Sequence, residues 1–198
     1  IFKTHLNPTI ENLSCLKRNG VTKILISHRD YRDVLLSTVH RLIKFPREKS
    51  AWNFVDYKEM GFDRALEHAI NLYYSTIPDW YEGWMELAKQ DPESFYFVKF
   101  EDLVEDTEKV YRDILDFYGI TLSDKLIIKN VLKSKGKGSV EENFDKAKVV
   151  PWGLSSNFRS GKIGGWRDEF SPYHIELCKE KLGLALINAG YEKDLDWE

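Results

Sequence analysis

Cysteine is scarce in this chain. Cys15 and Cys178 are the two among 198 residues, too few for a disulfide framework or a cysteine-built metal centre. Long apolar runs are missing as well: none approaches the roughly 18 residues of a membrane-spanning helix, and the opening residues lack the pattern of a secretory leader. A reducing, cytoplasmic setting is the expectation. Positive charge is not in excess. Against 29 Lys and Arg stand 32 Asp and Glu, a net charge of −3, which does not indicate bulk affinity for nucleic acid. No internal repeat or interior linker divides the sequence, and no set of His, Cys and carboxylates has metal-ligand spacing. What is present is globular in character, with 42% hydrophobic and 14% aromatic residues. The length suits one sizeable core, so a single domain over residues 1–198 is expected.

Charge is unevenly spread. Residues 1–50 carry ten Lys and Arg against four Asp and Glu, residues 51–120 six against sixteen, and residues 121–170 ten against six. Two basic blocks brought together would make a local positive site on a mildly acidic protein, which suits a small polyanion better than a DNA backbone. Charge that merely follows local helix surfaces is the plainer alternative.

The pattern of elements reads as α/β. Ile1-Phe2 looks like the end of a strand, and residues 7–16 like a loop and short helix. A buried strand is expected over 22–28 and an amphipathic helix over 30–44, started by Asp30 as N-cap with Val34, Leu35 and Val39 as its apolar stripe. A polar break at 46–52 leads to helices over 60–74 and from Pro78 onward, the latter with Trp80 and Trp84 one turn apart. Residues 95–100 alternate like a strand. Asp106 caps a helix through Tyr118 that Gly119 ends, and residues 123–132 form another. Residues 133–150 have no clear period. Pro172 opens a last helix reaching Ala189, closed by Gly190. Strands separated by helices indicate a mostly parallel sheet.

The joint between the first full strand and its helix, Arg29-Asp30-Tyr31-Arg32-Asp33-Val34-Leu35-Leu36-Ser37, is the most informative stretch. A helix N-terminus at a strand exit favours negative charge through its backbone N–H groups and dipole, and Arg29 adds a fork of donors suited to phosphate. Taken alone, the stretch reads equally as a joint with a solvated cluster of charges.

Four segments in order resemble the sulfotransferases that use 3′-phosphoadenosine 5′-phosphosulfate (PAPS). Lys3-Thr4-His5 resembles the K-T-H of the cytosolic type. Residues 29–37 resemble R-(N/D)-x-(R/K)-D-V-x-x-S. Phe100-Glu101-Asp102-Leu103 resembles Y-E-D-L, and Arg159-Ser160-Gly161-Lys162-Ile163-Gly164-Gly165-Trp166-Arg167 resembles R-K-G-x-x-G-D-W-(K/R). The resemblance implies a mostly parallel α/β sheet flanked by helices, the P-loop-like sulfotransferase fold. It is expected to be incomplete on its N-terminal side, because no equivalent of the family's 5′-phosphosulfate loop is found. It implies sulfonyl transfer from PAPS to a hydroxyl or amine of a small-molecule acceptor, leaving 3′-phosphoadenosine 5′-phosphate (PAP), with no metal.

By the same resemblance His5 is the base and Lys3 stabilises charge on the sulfonyl group. Arg29, Ser37, Arg159, Ser160 and Gly161 bind the 3′-phosphate. Ser160 stands where the family usually has Lys, Gly165 where it has Asp, and Phe100 where it has Tyr, removing a hydroxyl. Glu101 and Asp102 read as helix-start groups rather than catalytic acids, and His40 as structural. The adenine-contacting segment is expected near 134–140, with Ser139 its candidate. Arg167, Ser171-Pro172 and Glu176 lie where many members carry a K-x-x-x-T-V-x-x-x-E dimer motif. Pro172 in place of Val leaves a homodimer open. The missing loop and the altered positions motivate an alternative: a non-catalytic relative that binds a nucleotide or a protein partner.

Overall fold

The computed structural model describes residues 5–44, 55–73, 76–135 and 162–198, with backbone alone at 133–135. Ile1-Phe2, Lys3, the break at 46–52, most of the 133–150 segment with Ser139, and Arg159 to Gly161 lie outside the described residues.

Two compact units emerge, one from Ile1–Arg29 and Asp79–Gly138, the other from Asp30–Pro78 and Ser139–Glu198. In the first, strand β1 (Ile24–His28) pairs in parallel with β2 (Phe95–Lys99), in register from Ile24 opposite Phe95 to His28 opposite Lys99. Parallel partners cannot be joined by a tight turn, so the chain between them must make a long crossover, here through helices. Helix α1 (Ile10–Arg18) supplies Leu16 to a core shared with Ile26 and Trp84, ringed by Leu6, Leu13, Trp80, Phe95 and Phe97. The strand expected over 22–28 is shorter because Thr22 and Lys23 remain exposed ahead of the ladder.

The second unit is helical among its described residues. Helix α2 (Tyr31–Lys44) buries Leu35, Leu36, Val39 and Leu42 and packs on the helix Phe62–Tyr73. The helix expected over 60–74 is interrupted. Asp56 accepts backbone N–H bonds from Lys58 and Glu59 to cap a short turn, α3 (Tyr57–Met60). Gly61 at φ 74° then resets the chain before α4 (Phe62–Tyr73), a left-handed value that glycine adopts without penalty.

Helix α5 (Thr76–Gln90) begins two residues before Pro78. Proline is tolerated in a first turn, where its missing N–H has no intrahelical acceptor. After β2 the chain enters α6 (Phe100–Glu105), which Phe100 opens instead of ending the strand; Glu101 and Asp102 lie in its first turn, as helix-start groups do, where the dipole favours acidic groups. Helix α7 (Thr107–Tyr118) is capped by Asp106 and closed by Gly119, as expected. Its Leu115 meets Ile127 and Val131 of α8 (Asp124–Lys135). The short α9 (Trp166–Glu169) and long α10 (Pro172–Asn188) complete the second unit. Ser171 starts α10 with a capping box in which His174 is the reciprocal partner. His174 Nε2 donates to the Asp63 carbonyl at 3.1 Å, so Nδ1 is left to accept from Ser171.

Candidate functional site

In the first unit, β1 ends on His28, which is 9% exposed and packs against the rings of Tyr81, 4.5 Å away, and Phe97. Burial, with the Lys99 charge adding to it, pulls the His28 pKa down to about 4, so this imidazole is neutral at pH 7. The next residue, Arg29, lays its guanidinium over the Phe100 ring at 4.5 Å. Replacing tyrosine by phenylalanine therefore removes a hydroxyl but keeps a flat platform for an arginine.

His5 is exposed. The chain behind it is fixed by two features of α5. Trp80 Nε1 donates to the Leu6 carbonyl at 2.8 Å. Pro8 lies so close to Gly83 that a Cβ there would sit 2.5 Å from Pro8 Cγ. The indole and the bare glycine backbone together seat residues 6–8. The paired tryptophans are core residues, edge to face at 6.3 Å, and Trp80 is an anchor as well.

In the second unit, the first turn of α2 departs from a solvated charge cluster. Asp30, Arg32 and Asp33 are 7%, 1% and 1% exposed. Asp30 accepts from the Arg32 backbone N–H at 2.9 Å, and from Arg32 Nε and Nη2 at 3.0 and 2.7 Å. Arg32 Nη1 lies 2.6 Å from Glu192 Oε1, and its guanidinium faces the Trp166 ring at 3.9 Å and the Trp197 ring at 4.4 Å. Burial opposes the charge on Arg32, yet Asp30 and Glu192 more than offset this and raise its pKa. Asp33 accepts from the backbone N–H groups of Gly164 at 2.9 Å and Trp166 at 3.1 Å. Such bonds to a buried carboxylate are charge-assisted and hold the glycine-rich segment against α2.

Asp30 caps the helix start as expected, its carboxylate accepting from the Arg32 amide. The charge pattern Arg-Asp-x-Arg-Asp also serves two purposes: Arg32 and Asp33 are enclosed and join elements, whereas Arg29 precedes them on the strand exit. Ser37 is half-buried on the second turn of α2. His40 bridges to Glu169 of α9 at 2.5 Å, in keeping with a structural role. Lys3, Arg159, Ser160 and Gly161 lie outside the described residues. Glu192, Trp197 and Gly83 were not foreseen. Their partners are remote in sequence, and an acidic tail or a glycine inside a helix carries no periodic signal.

Each unit by itself carries donor types that suit phosphate: the first an arginine stacked on Phe100, the second a helix hydroxyl at Ser37 and a glycine-rich strap fastened at Gly164 to the same helix. Among the described residues no helix is long and apolar enough to cross a membrane.

The family model described as Sulfotransferase domain matches residues 1–184. Cytosolic sulfotransferase 13 of Arabidopsis thaliana is 32% identical over 193 residues, covering 92% of this chain and 57% of that protein. Flavonol 3-sulfotransferase of Flaveria bidentis is 27% identical over 187 residues, covering 85% and 57%. Sulfotransferase 1C2 of Rattus norvegicus is 23% identical over 199 residues, covering 95% and 63%. The chain thus spans about three-fifths of the length of these relatives. Its fold matches the crystal structure of mouse sulfotransferase SULT7A1 complexed with PAP, with a TM-score of 0.62 at 21% identity over 95% of this chain and 68% of that one.

Proposed function

This chain belongs to the sulfotransferase family, and from that premise we propose that it moves a sulfonyl group from PAPS to a hydroxyl or amine of a small-molecule acceptor. Residues 1–198 belong to one sulfotransferase domain in a cytoplasmic setting. The observation that supports this most directly is Asp33 gripping the amides of Gly164 and Trp166. It joins two segments, at 29–37 and 159–167, that were matched to the family independently and lie about 130 residues apart.

PAPS supplies the activated sulfonyl group. Arg29, Ser37, Arg159, Ser160 and Gly161 hold its 3′-phosphate, by bidentate charge, by hydroxyl donation and by a close backbone approach. His5 takes the acceptor's proton on a ring nitrogen as the acceptor attacks in line, a role that needs a base titrating near neutrality. Lys3 offsets charge on the transferring group. Fixing the donor at the 3′-phosphate supplies positioning, which together with electrostatics carries most of the rate in related group transfers.

The test is acceptor-dependent release of PAP from PAPS by the intact protein, across phenols, alcohols and amines. Release that needs an acceptor and disappears in His5→Ala supports the reading. Tight PAP binding without turnover for any acceptor class would favour the non-catalytic alternative, which the changes at Phe100, Ser160 and Gly165 motivate.

A further inference from the structure

We infer that the tail after α10, through Glu192 and Trp197, positions the start of α2 and the strap at Gly164 and Trp166 by clamping Arg32; the inference rests on the proposed 3′-phosphate site. Arg32, three residues after Arg29, has the side-chain type of a phosphate ligand. Its surroundings exclude that role. The guanidinium is 1% exposed, forked onto Asp30, 2.6 Å from Glu192, and enclosed by the rings of Trp166 and Trp197. No face is left for a ligand, so Arg32 acts through the groups it joins.

Those groups belong to three parts of the second unit. Asp30 holds the first turn of α2 through the Arg32 amide. Trp166 belongs to the strap that Asp33 holds by two amides. Glu192 and Trp197 belong to the tail after α10. The tail is seated along that helix: the Tyr191 amide donates to the Leu186 carbonyl at 2.9 Å, and Leu195 Cδ2 lies 2.4 Å from where a Cβ on Gly183 would sit. Lys179 of α10 lies over the Trp197 ring at 5.5 Å, and the Tyr191 ring meets Tyr31 of α2 edge to face at 6.1 Å. The tail thereby returns to the start of α2 and places a carboxylate and an indole on Arg32. A buried arginine that loses one of two carboxylates is left undercompensated and moves or draws in water. Trp166 is stacked on it, so the strap shifts against α2. Glu192 and Trp197 are therefore positioning residues for phosphate recognition.

The experiment titrates the intact protein with PAP and with adenosine 5′-phosphate, which lacks the 3′-phosphate, for wild type, Glu192→Gln, Glu192→Asp and Trp197→Phe. Glu192→Gln is expected to weaken PAP by about tenfold, the scale of coupling between contacting residues, and adenosine 5′-phosphate by less than about twofold. Glu192→Asp keeps the charge and should restore most of the PAP affinity. Trp197→Phe should fall between. Equal loss for both nucleotides, or no loss for either, overturns the inference and makes the tail a stability element alone. Should Glu192→Gln not fold, Trp197→Phe and Glu192→Asp are judged by the same ratio. A wild-type protein that binds both nucleotides equally would refute the 3′-phosphate reading itself, and that result appears before any substitution is made.

Discussion

Around the first turn of α2, Asp30, Asp33 and Glu192 converge with Arg32 and two tryptophans, and almost none of this reaches solvent. Around residues 5–9 the chain is held by an indole N–H on a carbonyl and by a proline pressed on a glycine, while His5 itself is exposed. The first arrangement is over-determined by charge and suits a group that must bind an anion in one place. The second fixes backbone and leaves the side chain free, which suits a base that must meet acceptors of differing shape. Binding and turnover should therefore separate under mutation.

The largest expected effect lies on the loosely held side. His5→Ala should lower kcat by about 10²–10⁴-fold, the range for losing a general base, with PAP affinity within about twofold of wild type. Steady-state kinetics beside a PAP titration checks both, and loss of turnover in step with affinity would erase the contrast. On the buried side, Asp33→Ala leaves two strap amides without their carboxylate. It should cost about 3 kcal/mol of stability by chemical denaturation, with a matching loss of PAP binding.

A pH series probes the same contrast through His28. Its folded-state pKa, lowered to about 4 by burial and then Lys99, lies below the ordinary value near 6.5. The unfolded chain thus binds the extra proton first. Stability is complete above pH 6.5 and falls as the pH drops from there towards 4, by up to about 3 kcal/mol. The gap in denaturation midpoint between wild type and His28→Gln should widen as the pH rises from about 4 to 6.5 and stay constant above that.

Gly83→Ala forces a methyl into Pro8 and should cost about 1–2 kcal/mol. It should also lower kcat several-fold while sparing PAP affinity. Ser171→Ala, which removes the α10 cap, should cost about 1 kcal/mol with neither PAP affinity nor kcat altered, as calorimetry and the same titration would show.

Local signals carried much of the fold. Asp106 and Gly119 bound α7 because caps act within a few residues, and β1 and β2 show in their apolar runs. The enclosure of Arg32 and Asp33 was not legible, since residue type says "exposed" and the enclosing Trp166, Glu192 and Trp197 are more than 130 positions away. Phe100 read as the loss of a hydroxyl. Only the folded chain presents it as the ring beneath Arg29. The pairing of Pro8 with Gly83 is equally non-local, and a glycine inside a helix carries no signal of its partner.

The most direct test of the account is titration of the wild-type protein with PAP beside adenosine 5′-phosphate, repeated on Arg29→Ala. A charged pair to phosphate contributes about 1.5–3 kcal/mol, so PAP should bind at least about tenfold more tightly, with the gap largely closed in the variant. Equal affinity of the wild type for the two nucleotides would contradict the 3′-phosphate site.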